Sequence, residues 1–178
     1  MQLIQTVTVG SGGASSITFS SIPATYTDLL LVVSPKLSFA ALTASMGVFL
    51  NSAAADTNYR YLRGTGSAAN SAADTGRQDF YIGEAPANSS TANTFGLFQV
   101  YIPNYAGSQQ KTMSSEGIHE NNSTTAYQFV SAGLCTKTAA ITSLTVRGFE
   151  GTSGNLVEYS SASLYGIKSG SDGIVTVS

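Results

Sequence analysis

The sequence predicts an all-β fold in a single domain, and three observations predict it. Apolar and polar residues alternate in short runs. No window sustains the i, i+3, i+4, i+7 stripe of an amphipathic helix. Clusters of Gly, Asn and Pro interrupt the runs at roughly the 8–12-residue spacing of sandwiches and barrels. The 178 residues suit one core, and no linker is long enough to separate a pair of domains, so 1–178 reads as one unit.

About eleven strands follow in order. Residues 5–9 set Val7 and Val9 on one face and Thr6 and Thr8 on the other. Residues 16–20 turn Ile17 and Phe19 inward. Residues 27–34 hold a continuous apolar run, which predicts a strand covered on both faces. Residues 46–50 put Met46, Val48 and Leu50 in register, and 59–63 alternate Tyr59, Tyr61 and Arg63. Residues 79–82 and 95–102 come next, the second nearly all apolar and aromatic. Residues 111–118 are polar, as an edge strand is. Residues 126–134 alternate Tyr127, Phe129 and Ser131 with Gln128 and Val130; 141–149, 157–167 and 174–177 complete the series. Pro23, Pro35, Pro86 and Pro103 fall at strand ends or in loops, where the missing N–H does no harm. The expected core includes Leu29, Leu31, Val33, Val48, Phe98, Val100, Phe129, Val146 and Leu164. The Ala-rich stretches 52–56 and 67–74 carry no apolar stripe and read as loops, and 64–78 reads as one long irregular loop.

Composition narrows the function. Lys and Arg number 8 against 10 Asp and Glu, a net charge of −2, and charged residues make up 10% of the chain. An ordinary globular domain carries roughly 25%. Eight scattered basic residues do not make the clustered patch that a nucleic-acid backbone requires. The 42% hydrophobic content excludes a disordered polar tract. The longest strictly apolar run, 29–33, is far short of the roughly 20 residues of a membrane helix. The N-terminus has neither a basic region nor an apolar signal segment, so synthesis in a cytoplasm is expected.

Candidate chemistry is sparse. One cysteine, Cys135, excludes an internal disulfide framework, and one histidine, His119, leaves few ligands or bases. Gly64-Thr65-Gly66-Ser67-Ala68-Ala69 matches G-x-G-x-x-A, but a dinucleotide site needs a helix opening there, and Asn70, Ser71 and Gly76 speak for a loop. Glu116, His119 and Glu120 form the one His–carboxylate cluster; on a strand, Glu116 and His119 face opposite ways. Asp56-Thr57-Asn58 and the acids of 74–79 offer oxygens without the EF-hand pattern. No G-x-S-x-G occurs, and Cys135 at the end of an apolar strand reads as a buried, inert thiol. No catalytic residue, cofactor or metal is assigned. Nine tyrosines with no tryptophan could form a sugar-stacking platform, although tyrosines in strands pack for ordinary reasons. Low surface charge suits a packed assembly, in which each buried charge would need a partner.

Two blocks carry a resemblance. Leu3-Ile4-Gln5-Thr6-Val7-Thr8-Val9, with Ile17-Thr18-Phe19-Ser20-Ser21-Ile22-Pro23 and Tyr26-Thr27-Asp28-Leu29-Leu30-Leu31-Val32, open the chain. Ile141-Thr142-Ser143-Leu144-Thr145-Val146 and Ser161-Ala162-Ser163-Leu164-Tyr165-Gly166-Ile167-Lys168 close it. Over about a third of the chain these blocks resemble small structural proteins of tailed-bacteriophage virions. The resemblance implies a jelly-roll-like antiparallel β-sandwich in a virus particle, associated as a homotrimer, and it carries over no active site.

The expected function is therefore that of a virion structural protein, a capsid decoration or cement protein that binds itself and the major capsid protein or other virion proteins. The alternatives are a tail-fibre or receptor-binding head domain recognising a host surface glycan, and a small carbohydrate-active enzyme. Termini and loops reach beyond a sandwich body. The expected partner contacts are accordingly Met1, Gln2, Leu3, Ile4 and Gln5, with Gly64, Thr65, Gly66, Asn70, Asp74, Arg77 and Gln78 of the long loop.

Overall fold

The computed structural model describes residues 1–51, 56–120, 122 and 126–168. Among these, twelve strands form two sheets: β1 (Gln2–Thr8), β2 (Ser16–Phe19), β3 (Asp28–Ser34), β4 (Thr43–Leu50), β5 (Thr57–Thr65), β6 (Ala68–Arg77), β7 (Asp79–Pro86), β8 (Leu97–Pro103), β9 (Lys111–Glu120), β10 (Ala126–Cys135), β11 (Leu144–Gly148) and β12 (Ser161–Ile167). The larger sheet has the order β1-β12-β3-β8-β9-β10-β5-β6, the smaller β2-β11-β4-β7, and every neighbouring pair is antiparallel. The expected all-β sandwich is the observed one. The expected strand at 174–177 and the stretch 52–55 lie outside the described residues.

The core forms where strand alternation points two faces at each other. Leu29, Leu31 and Val33 of β3, Phe98, Val100 and Ile102 of β8, and Leu164 of β12 supply one side. Ile17, Val146, Val48 and Phe80 lie side by side across the four strands of the smaller sheet. All nine expected core residues are fully buried. Burying one such side chain contributes about 1.5–3 kcal/mol.

Three expectations are corrected. The irregular loop at 64–78 is the end of β5, a turn at Gly66 (φ +63°) and the whole of β6. Ala, Ser and Asn carry neither strand propensity nor alternation, so the sequence hides this strand. The backbone ladder to β5, from Thr65↔Ala68 to Tyr59↔Asp74, holds it. The stretch 111–118 belongs to β9, an interior strand between β8 and β10. Its buried residues include Gly117, which fits beneath the Phe98 ring, and Ser115, whose hydroxyl donates to the Ile82 carbonyl, and these small residues give the strand its polar look. Strand β3 is fully buried on one face only; Leu30 and Val32 on the other face remain half-buried.

Large rings and missing side chains shape the centre. A β-carbon on Gly117 would lie 2.1 Å from the Phe98 ring, one on Gly133 2.5 Å from the Phe80 ring, and one on Gly83 2.8 Å from the Phe98 ring. Beside them, Tyr81 sits 5.0 Å from Tyr61 and 5.4 Å from both Tyr59 and Phe149, ring centre to ring centre. Strand β7 is thus buried along its length, packed on β5, β9 and β10, although it ends its own sheet.

Candidate interaction surface

The face of the larger sheet turned away from the core has no covering layer among the described residues. Strand register fixes what it presents. One cross-strand row runs through Leu62, Val130, Glu116 and Gln99, and the next through Arg60, Ala132, Ser114 and Tyr101. Ile118 lies beside Leu97 at the margin. Leu62 is 61% exposed, Ile118 47%, Val130 46%, Leu97 43% and Tyr101 38%, so five large apolar side chains meet solvent on one contiguous face. Such a patch, rather than single exposed leucines, marks an interaction surface. Four shallow hollows indent this face: by Leu97 and Ile118, by Leu62 and Val130, by Leu30 and Tyr101, and by Asn58 and Leu134.

The electrostatics are sparse. Arg60 and Glu116 stand on the face on either side of β10, and neither enters an ion pair among the described residues. Tyr101 donates its hydroxyl to Asp28 at 2.8 Å, and that bond holds the phenol above its ordinary pKa. Several other charges are engaged away from this face. Arg63 pairs with Glu84 at 3.0 Å, Arg77 with Glu150 at 2.6 Å, and Arg147 grips the fully buried Asp79 through two nitrogens at 2.8 and 3.1 Å. Lys111, 2% exposed, donates to the carbonyls of Gly107, Gln109 and Thr138, tying the β8–β9 connection to the segment after β10. These cations are structural.

The sequence-predicted contact residues fall at two places. Met1 precedes β1, and Gln2, Leu3, Ile4 and Gln5 lie in it, at one edge of the larger sheet. Gly64 and Thr65 end β5, and Gly66 makes the turn. Asn70, Asp74 and Arg77 lie in β6 at the opposite edge, and Gln78 links β6 to β7. The fold therefore brings the two groups to opposite ends of one sheet. Arg77 and Gln78 are partly used within the chain: Arg77 pairs with Asp74 and Glu150, and the Gln78 N–H points at Glu150.

The outer-face residues Leu62, Leu97, Ile118 and Val130 were not predicted. A signal existed: 97–102 is apolar at nearly every position, and a strand in a two-layer fold buries only one of its faces.

The other motifs resolve locally. G-x-G-x-x-A spans the β5–β6 hairpin, with no helix there to receive a pyrophosphate. Glu116 and His119 do face opposite ways: Glu116 is exposed and His119 is 3% exposed. The His119 ring stacks on Phe129 at 5.8 Å and meets Tyr127 edge-on at 5.2 Å, and neither ring nitrogen has a hydrogen-bond partner among the described residues. Burial lowers its pKa to about 4, with nearby Arg63 pushing the same way against Glu120. A neutral imidazole wedged between rings is a packing element. Cys135 is buried, and burial raises its pKa, so its thiolate is disfavoured. No group of three or more His, Cys, Asp or Glu among the described residues could hold a metal, and no described helix is long and apolar enough to cross a membrane.

Compared with family models, curated proteins and solved structures, the chain matches none.

Proposed function

We propose that this protein is a non-catalytic structural subunit that works by association, a capsid decoration or cement protein of a bacteriophage particle. The observation that carries the association is the outer face of the larger sheet, where five exposed apolar side chains lie among few charges, with Arg60 and Glu116 near its middle and Asp28 bonded to Tyr101. Contact there removes apolar surface from water at about 25 cal/mol per Å² and desolvates few charges.

The virion setting draws its support from the resemblance of the first and last strand blocks to phage structural proteins, and from connectivity. Without β5, β6, β9 and β10, the remaining eight strands have the orders β1-β12-β3-β8 and β2-β11-β4-β7. Counted along the chain, these are first-eighth-third-sixth and second-seventh-fourth-fifth, which we read as a jelly roll of two interleaved Greek keys. Two hairpin insertions, β5–β6 and β9–β10, widen one sheet and create most of the open face. Three-fold association follows the resemblance.

A reconstruction of the virus particle tests this reading: density for the protein on the shell surface is expected. Its absence from the shell, or a position at a tail-fibre tip, would overturn it. Tyr101, exposing its ring on the same face, favours the glycan-binding alternative. Binding on a glycan array that is lost in Tyr101→Ala would establish that alternative.

A further inference from the structure

The four sheet edges are treated differently. β7 is buried beneath β5, β9 and β10, and β2 is only four residues long. Covering an edge and keeping it short are the usual protections against strand pairing between molecules. β1 and β6 have neither. Each ends the larger sheet, and its outer backbone groups meet no other strand among the described residues. β6 packs chiefly on β5, and all six residues from Ala68 to Ala73 are exposed, with no charge among them. β1 carries no charge and no proline over its seven residues. The charges of β6, Asp74 and Arg77, sit beside its bulge and are paired with each other and with Glu150.

Strand direction makes these two edges complementary. The larger sheet has eight strands, all antiparallel to their neighbours, so β1 and β6 run in opposite directions. A second copy placed beside the first by rotation about an axis along the strands brings its β1 against β6 antiparallel, continuing the alternation. The outer face continues too. Leu3 of β1, 51% exposed, and Leu62 beside β6, 61% exposed, lie on that one face at its two ends, with only Ser71 and Ala73 of β6 beyond Leu62. Small side chains there leave room for the incoming Leu3.

We infer that β6 of one copy adds to β1 of the next, joining identical chains head to tail in a closed ring. The ring deepens the association proposed above, but it concerns the purified protein in solution and stands or falls without the virion. Backbone hydrogen bonds supply the attraction, as in other β-augmentation. Closure uses both open edges of the larger sheet and ends growth.

Cysteine cross-linking tests the inference. The variants are Ser71→Cys on β6, Thr6→Cys on β1, and the two together, all at exposed positions. A short bismaleimide spans an offset of two residues, roughly 7 Å. Wild type, whose Cys135 is buried, is the control. The double variant should give a ladder of covalent species that stops at the size found by sedimentation for the uncross-linked protein, and each single variant should give none. Ser71→Lys should raise the dissociation constant of the assembly about tenfold or more with an unchanged far-UV spectrum. Cross-linking of either single variant would overturn the inference in favour of a two-fold edge. A ladder without end, or a clean monomer at micromolar concentration, would overturn it as well.

Discussion

Phe98 and Gly117 are direct partners across β8 and β9, and the phenyl ring occupies the volume that a side chain on Gly117 would need. A β-carbon there would lie 2.1 and 2.3 Å from two ring carbons, well inside contact distance. Phe98 is fully buried, with Gly83 pressing from the other sheet, so the ring has nowhere to move.

Gly117→Ala should therefore destabilise by about 1–3 kcal/mol through overpacking, and Phe98→Ala by about 3–5 kcal/mol through the cavity it leaves. Because the two residues share one volume, the double variant should lose less than the sum of the single losses. Urea unfolding of the four proteins measures this. Additive losses would show that the contact does not limit the core.

His119 should make the fold acid-sensitive. Its pKa is about 4 in the folded state against 6.5 ordinarily, so between those values the unfolded chain binds the extra proton. Its contribution is intact above pH 6.5 and is lost as pH falls toward 4, at a cost of about 2–3 kcal/mol by pH 4.5. His119→Phe keeps the stack on Phe129 and removes the proton. Between pH 7 and 4.5 the variant should lose less stability than wild type by about that amount, and equal losses would dismiss the histidine as the cause.

Arg147 neutralises a carboxylate with no solvent exposure. Asp79 accepts two bonds from its guanidinium and one from the Glu150 N–H at 2.9 Å. Arg147→Met should strand that buried charge and cost about 3–5 kcal/mol. Arg63→Met, which breaks a partly exposed pair with Glu84, should cost about 1 kcal/mol or less. Thermal unfolding of both variants ranks the pairs; similar losses would contradict the difference in burial.

Leu62→Ser and Val130→Ser, on the open outer face, should leave the far-UV spectrum unchanged and weaken self-association or shell binding. Each large apolar side chain removed from a contact forfeits about 1–2 kcal/mol. Sedimentation and particle binding read the effect. Full association in the double variant would move the contact off this face.

The strand series and its inward positions were legible in the amino-acid sequence, because a period of two shows whenever one face is buried and the other wet. Ile17 and Phe19 lie inward as that rule requires, as do Met46, Val48 and Leu50. The rule fails for β6, where both faces meet solvent and Ala, Asn and Ser leave no alternation to read. It misleads for β9, where Gly117 is buried because the Phe98 ring fills the space above it, and Ser115 is buried with its hydroxyl donating to the Ile82 carbonyl of the other sheet. Periodicity is a property of one strand, whereas a ring over a glycine is a property of two strands distant in sequence. The sequence alone therefore determined the fold class, the hydrophobic core and the scarcity of histidine and cysteine. Only the tertiary structure decided that 1–5 and 68–77 end the same sheet, and that Leu62, Ile118 and Val130 share one open face. Strand order and register are set by how twelve segments pack together, and no local pattern carries that information.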